Sequence, residues 1–267
     1  MASSSMSLVS FLCLCFLVVS DTACDRCLHQ PKAAYFSNED ALNHGACGYG
    51  SLAVGFNARH LAGAMPSIYK DGAGCGACFQ IRCKDSNICS KNGTKVIVTD
   101  LNNSHETDLV LSSRAFSDMA VPGMDRDLFR LGIVDVEYRR VPCEYKQNLA
   151  VHVEESSKKS YYYLAVTFLY QGGQTEIVGV DVAQVGSGNW EHMSRNFGAV
   201  WDTSRVPEGA LQFRLNVTSG YNGKYVRAKS VLPQDWKAGQ VYDSGVQIND
   251  IIAQELECNP CDDSRWK

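Results

Sequence analysis

The sequence predicts an all-β chain of two domains, a small cystine-tied barrel followed by an antiparallel sandwich. Three observations carry this expectation. Beyond residue 23, eight cysteines lie from Cys24 to Cys143, none lies between Cys143 and Cys258, and the last two are Cys258 and Cys261. The first part contains short β-branched runs separated by glycine-rich turns, and the second contains longer alternating runs at the even spacing of a sandwich. A chain of 267 residues can bury one large core or two ordinary ones. The cysteine asymmetry selects two, joined at 142–148, where Pro142, Glu144, Lys146, Gln147 and Asn148 interrupt the apolar pattern.

The chain opens with an apolar run at 8–19 that ends on Ser20. It is short for a membrane span, and small residues follow it, so 1–20 reads as a signal peptide cleaved after Ser20 or Ala23. The mature protein is then expected to be secreted, extracellular and free of the membrane. Cleavage removes Cys13 and Cys15 and leaves ten cysteines, an even number that predicts five disulfides in an exported chain. The Cys24/Cys27, Cys75/Cys78 and Cys258/Cys261 spacings also suit zinc, but an oxidising compartment favours cystines and no metal is expected. Sequons at Asn92, Asn102 and Asn216 mark glycosylation acceptors. A net charge of -4 without a dense Lys/Arg block excludes a nucleic-acid binder. The nearest basic cluster, Arg139 and Arg140, should lie on opposite faces of a strand as a solvated pair.

In the first part, 79–83, 95–101, 108–111 and 133–141 read as strands. Ser112 or Ser113 can cap a helical turn through Met119, and 124–131 can form another. In the second part the strands are 149–153, 161–170, 176–185, 210–218, 224–231 and 246–252. Within 161–170, Leu164, Val166 and Phe168 share one side, and Tyr161, Tyr163 and Thr167 the other. In the next strand Val178, Val180 and Val182 form the apolar set. One apolar and one mixed face per strand is the pattern of an antiparallel sandwich, with aromatics left on the outer side.

Several segments carry a family likeness: Gly72-Ala-Gly-Cys-Gly-Ala-Cys-Phe79, Val98-Thr-Asp-Leu101, Gly132-Ile-Val-Asp-Val-Glu-Tyr-Arg-Arg-Val-Pro-Cys143 and Gly198-Ala-Val-Trp201. In order and across nearly the whole mature chain they resemble expansins. Cys24-Asp-Arg-Cys27 and Cys258-Asn-Pro-Cys261 resemble the expansin-like A branch in particular, which are plant cell-wall proteins. The resemblance implies a six-stranded double-psi β-barrel at 24–143, similar to certain endoglucanases. It implies an immunoglobulin-like β-sandwich at 149–257, a carbohydrate-binding module of the grass-pollen group-2 type, and a cysteine-containing tail at 258–267. It also implies the pairs Cys47-Cys75, Cys78-Cys143 and Cys83-Cys89, with Cys24, Cys27, Cys258 and Cys261 paired in an open connectivity.

Cleaving a glycosidic bond takes two carboxyl groups. Expansins carry a His-Phe-Asp motif whose aspartate sits where related endoglucanases keep their general acid; the matching segment here is Asp108-Leu-Val110. Val110 stands at the aspartate position and cannot donate a proton, so no catalytic residue is assigned. Asp100 matches a groove-lining family position and also suits a carboxylate that binds loop amides. Asp108, two residues from Val110, is the only nearby substitute, and a weak glycan-cleaving enzyme using Asp100 and Asp108 is the alternative. The Thr-Trp-Tyr run of the family's first strand matches Ala34-Tyr35-Phe36.

The six histidines form no HxH or HExxH pair, no GxSxG is present, and Gly72-Ala-Gly-Cys-Gly suits a cystine-tied turn better than a phosphate loop. No cofactor is expected. Glucan chains are held by stacking on aromatic rings. By resemblance the platform residues of the second domain match Tyr163 and Trp190, with Trp201 in the core and Tyr35 and Phe36 extending the surface over the barrel. The expected function is non-hydrolytic binding of a monomer to cellulose, xyloglucan or another hemicellulose, with loosening of their contacts. A secreted signalling or structural partner with a vestigial sugar surface is the third reading.

Overall fold

The computed structural model describes residues 30–37, 44–218 and 223–251. The expected signal peptide with its cleavage sites, the 258–267 tail, and Cys24, Cys27, Cys258 and Cys261 lie outside them. Six strands close a barrel: β1 Lys32–Tyr35, β2 Leu61–Ala64, β3 Cys78–Cys83, β4 Thr94–Leu101, β5 Leu109–Leu111 and β6 Val134–Val141. Their order is β1-β5-β2-β4-β3-β6, with β1/β5 and β2/β4 parallel and the other neighbours antiparallel. Alternation fills the interior with Ala33, Ala62, Ala64, Ile81, Val96, Val98, Leu109, Leu111 and Val136. The short helices Ser113–Ser117 and Asp125–Leu131 supply Phe116, Leu128 and Phe129 to the same core. Ser112 caps the first of these through its hydroxyl, which accepts from the Ala115 amide.

The pattern of the sequence misses β2 because Leu-Ala-Gly-Ala has no β-branched residue and is buried on both faces. Among the described residues three disulfides bind the barrel and its loops, Cys47–Cys75, Cys78–Cys143 and Cys83–Cys89, with Cα separations of 5.6, 5.3 and 5.5 Å. The second ties the start of β3 to the segment just beyond β6. The 72–76 glycines serve the turn: Gly72 and Gly76 have positive φ, and Cys75 between them carries the bridge to Cys47.

Eight further strands follow: β7 Ala150–Val153, β8 Leu164–Leu169, β9 Ile177–Gln184, β10 Glu191–Phe197, β11 Val200–Thr203, β12 Leu211–Val217, β13 Lys224–Leu232 and β14 Val241–Asp243. They run in the order β13-β12-β9-β10-β11-β8-β7-β14. The first half of β10 pairs with β9 and its second half with β11, so this strand passes from one layer to the other. Phe168 on β8 meets Phe213 on β12 edge-to-face at 6.1 Å, although three strands separate them in the order. The layers therefore face one another across a core that includes Val151, Val166, Val180, Val182, Met193, Trp201 and Leu215.

Three expectations are corrected here. The described part of 246–252, residues 246–251, forms no strand beyond an isolated bridge of Ile251 to Gln174; β14 takes the place beside β7, and Ile248 reaches the core from a loop held by Leu149 N–H to Val246 O at 2.9 Å. Strands β10 and β11 were not expected, because Glu-His-Met-Ser-Arg-Asn-Phe buries only Met193 and gives no apolar alternation. Val178 points outward at 45% exposure while Ile177 enters the core, since a register shift opposite Asn216 and Val217 reverses the alternation at the start of β9.

The barrel covers part of the outer face of the β11-β8-β7 layer. Tyr49, Phe56, Leu61 and Ile97 pack with Ala150, Leu169 and Ala199, and Phe56 meets Tyr170 at 5.3 Å. Leu164–Leu169 is consequently buried on both faces. Arg140 belongs to this joint and is not a solvated partner of Arg139: it donates to Glu176 Oε1 at 2.9 Å and Thr175 O at 3.0 Å, and Lys70 binds the same carboxylate at 2.6 Å. Arg195 donates to Gly72 O at 3.2 Å, Gly198 O at 2.5 Å and Ile177 O at 2.6 Å while lying over Trp201. These bonds fix the barrel on the sandwich.

Candidate functional site

The barrel register places Ala34, Val110, Gly63 and Asp100 side by side on β1, β5, β2 and β4. Partners in register present their side chains to the same face, so these four form a row about 14 Å long. All but Gly63 are half-buried, in contrast to the fully buried residues between them in sequence. The row lies on the side of the barrel where the family resemblance expects a groove. Gly63 keeps the row flat, because a Cβ there would lie 3.3 Å from Phe36 Cζ and 3.6 Å from Asp100 Cβ. Phe36 and Asp100 therefore flank the same point.

Asp100 Oδ1 accepts from the amides of Ala46 at 2.6 Å and Leu101 at 2.8 Å. The carboxylate both borders the groove and fastens the 44–48 loop. Val110 supplies no acid. Asp108 does not replace it: it precedes β5, is 4% exposed, and its Oδ2 accepts the Lys32 amide at 2.8 Å, which anchors the start of β1. Tyr35 is turned the other way from the groove. Its ring packs on Phe116 at 4.9 Å and Phe129 at 4.8 Å and belongs to the barrel core, because it pairs with inward-facing Leu111. This placement corrects the expected surface position of Tyr35, while Phe36 lies beside Gly63.

The surface continues from the groove onto the sandwich through the loop that Asp100 holds. A Cβ on Gly48, whose φ is +78°, would meet Val200 Cγ2 at 2.7 Å and Phe197 Cε2 at 2.8 Å. Phe197 thus packs its ring edge against the barrel and is still 53% exposed. Beside it, Asp202 Oδ2 accepts from Asn196 Nδ2 at 2.7 Å and from the Tyr163 hydroxyl at 2.9 Å. Burial, then the hydrogen bond to Asp202 and its charge, hold the Tyr163 phenol protonated above its usual range. The 44–48 loop therefore joins Phe36 and Asp100 on the barrel to Phe197, with Tyr163 and Asp202 beside it, on the sandwich.

The sequence missed Phe197. Alternation along His192 and Ser194 points to Asn196 as the next outward residue, but a register shift between Arg195 and Phe197 brings Phe197 out as well. The available signal was a large ring in an otherwise polar run. Trp190, by contrast, does not share a face with Tyr163. Its ring lies against Arg214 at 4.6 Å and Arg227 at 5.2 Å, which puts it over β12 and β13, while Tyr163 is bonded to β11. The two sit on the outer faces of opposed layers, which corrects the single flat platform expected for them. Trp201 is buried at 4% exposure in the sandwich core.

The sequons also differ. Asn92 is exposed and Asn216 is half-buried on β12. Asn102 is buried, its Nδ2 donating to Thr107 O at 2.6 Å and Thr107 Oγ1 at 3.2 Å and its Oδ1 accepting from Ser104 N–H at 3.0 Å. A glycan there would require this turn to open. Among the described residues, no group of three or more His, Cys, Asp or Glu is placed to hold a metal ion, and no helix is long and apolar enough to cross a membrane.

Comparison with known proteins places this geometry. The Expansin C-terminal domain model matches residues 149–233, and a lytic transglycolase model of the double-psi β-barrel class matches residues 61–138. Expansin-like A2 of Arabidopsis thaliana is 63% identical over 92% of this chain and 93% of its own length. The chain belongs to the expansin superfamily, in its expansin-like A branch. Expansin-like A1 of the same plant is 61% identical over 92% of this chain and 94% of its own length, and an Oryza sativa expansin-like A3 is 46% identical over 92% and 91%. Among solved structures, an expansin of Clavibacter michiganensis, determined both apo and as a mutant in complex with cellohexaose, superposes with a TM-score of 0.63. It covers 82% of this chain and 96% of its own at 22% identity, a likeness of fold. The barrel of this expansin-like chain is accordingly a double-psi barrel, and its sheet pair is the expansin sandwich.

Proposed function

We propose that this expansin-like protein is secreted to the plant cell wall and binds neutral wall glucan, cellulose or a hemicellulose such as xyloglucan, without hydrolysing it. The observation that carries the reading is the line Phe36, Asp100, Phe197 and Tyr163. Rings spaced along one surface suit the apolar faces of successive pyranoses, and Asp100, Asp202 and Asn196 offer polar edges for their hydroxyls. Loosening follows if a bound glucan is held on this line in competition with its neighbours in the wall.

Cleavage is the weaker reading on physical grounds. A glycosidase needs an acid and a base or nucleophile across the scissile bond, and the barrel row offers Asp100 with Val110 where a partner would stand, while Asp108 is buried under the Lys32 amide. Losing a general acid alone costs about a hundredfold to ten-thousandfold in rate. The test is depletion of the purified mature protein onto insoluble cellulose and xyloglucan, with reducing-end release and wall extension measured alongside. Retention that falls in Phe197→Ala and Tyr163→Ala supports the line. Release of reducing ends abolished by Asp100→Asn would establish an enzyme instead, and absence of retention on any wall glucan would favour a signalling or structural partner.

A further inference from the structure

The outer face of the β13-β12-β9-β10 layer lies away from the line just described and carries different chemistry. Register aligns His192, Asp181, Arg214 and Arg227 in one row across β10, β9, β12 and β13, about 14 Å wide. Arg214 is fixed at its centre. Its Nε and Nη2 both donate to Asp181 Oδ2, at 2.9 and 2.7 Å, and Asp181 Oδ1 is taken by His192 Nδ1 at 3.0 Å. The Arg214 guanidinium lies 4.6 Å from the Trp190 ring centre and 4.8 Å from that of Tyr225, so it is held between two aromatic rings. Arg227 lies 5.2 Å from the same Trp190 ring.

The charges do not cancel. Arg214 offsets Asp181, whereas Arg227 and Lys229, two residues further along β13, are exposed and form no ion pair among the described residues. Lys224 is paired with Asp250 at 2.9 Å and adds nothing. A positive face thus stands on a chain of net charge -4, bordered by a half-buried Trp190 and a Tyr225 that is 59% exposed.

We infer that this face is a second carbohydrate site, for a polysaccharide of uronic acids. The rings of Trp190 and Tyr225 suit pyranose faces, and the exposed Arg227 fork suits a carboxylate carried on the sugar ring, with Lys229 as a nearby point charge. A neutral glucan would leave both cations unmatched, and a polyphosphate would bring no pyranose face to stack on Trp190 and Tyr225. The inference shares with the proposed function only the premise that exposed rings of the second domain stack on sugars. Asn216 lies directly opposite Tyr225 in register, so a glycan attached there would stand beside the site.

The experiment uses the full mature chain after enzymatic removal of N-glycans, with binding to polygalacturonate, to its fully methyl-esterified form and to insoluble cellulose at low and high salt. The wild type should bind the free acid, lose affinity as salt rises, and ignore the ester. Arg227→Gln with Lys229→Gln should lower polygalacturonate binding about tenfold or more and leave cellulose retention and the thermal melt unchanged. Phe197→Ala should do the reverse, lowering cellulose retention only. The charge-matched control Lys84→Gln with Lys91→Gln, on exposed barrel positions, should change polygalacturonate binding less than about twofold. Equal binding of ester and free acid, or an equal loss in the control pair, would overturn the site. Cellulose retention unaffected by Phe197→Ala would refute the neutral-glucan line and leave this site standing.

Discussion

Among the described residues the barrel is tied by three cystines, whereas the sandwich holds eight strands with no cystine and two opposed apolar layers. The surfaces differ in the same sense. The outer row of the barrel holds Ala34, Val110 and Gly63 with one carboxylate that also fastens a loop. The sandwich displays rings and guanidiniums on both of its outer faces. A fold that closes on itself with alanine and glycine along its outer row, and valine at 110, presents few functional groups there, whereas the neighbouring sandwich can vary its surface independently of its core. The joint between them, centred on Glu176, Arg140 and Arg195, holds the two together.

The largest effect should come from removing the bridge that closes the barrel. Replacing Cys78 and Cys143 by serine opens a loop of 65 residues and should cost about 4 kcal/mol by loop entropy, read as the chemical-denaturation midpoint. An unchanged midpoint would mean that the barrel core suffices by itself and that the contrast with the sandwich is misdrawn.

Two tryptophans divide interior from surface. Trp201→Ala should destabilise by about 3 to 5 kcal/mol, while Trp190→Ala should stay within about 1 kcal/mol of the wild type because its ring borders solvent. A strong fall in melting temperature for Trp190→Ala would return that ring to the core.

Tyr35 and Phe197 make the corresponding pair across the domains. Tyr35→Ala should cost about 2 to 4 kcal/mol through its contacts with Phe116 and Phe129 and leave the cellulose affinity of the folded protein unchanged. Phe197→Ala should lower that affinity about five- to a hundredfold, the range for a stacking aromatic, with a small change in the melt. Retention that follows Tyr35 rather than Phe197 would reverse the assignment.

The smallest effect is a pH dependence confined to the sandwich. His152 is buried on β7; burial opposes its charge, but the hydrogen bond to Glu154 and the charges of Glu154 and Glu155 outweigh it and raise its pKa. A folded value above the unfolded value of about 6.5 means stability fully present below that pH and lost as pH rises through the folded pKa. Thermal melts from pH 5 to 9 should show His152→Gln losing less stability on the alkaline side than the wild type. Parallel curves would show that this histidine does not couple to folding.

Much of this was legible from residues alone. Ser112 at the head of Ser113–Ser117 announced its helix as a cap, the apolar alternation of Leu164, Val166 and Phe168 announced one side of the sandwich core, and Val110 announced the missing acid. The errors fall where a local pattern is overruled from a distance. Arg140 looked solvated because its partner Glu176 lies 36 residues away on the other domain, and Tyr35 looked like a platform because only the packing of Phe116 and Phe129 shows its ring turned inward.

The sequence by itself determined the division into a cystine-rich and a cystine-free domain, the all-β class, the expansin resemblance and the absence of a proton donor at 110. These depend on composition, on spacing and on single residue identities, all of them local. The tertiary structure alone decided which ring faces the core and which faces outward. A register shift of one residue between Arg195 and Phe197 brings Phe197 to the surface beside the barrel, and the passage of β10 from one layer to the other sets Trp190 with Arg214 and Arg227 instead of with Tyr163. Side-chain direction in a sheet has a period of two, so a single bulge reverses it, and no one-dimensional pattern says which partner strand will be there to meet it.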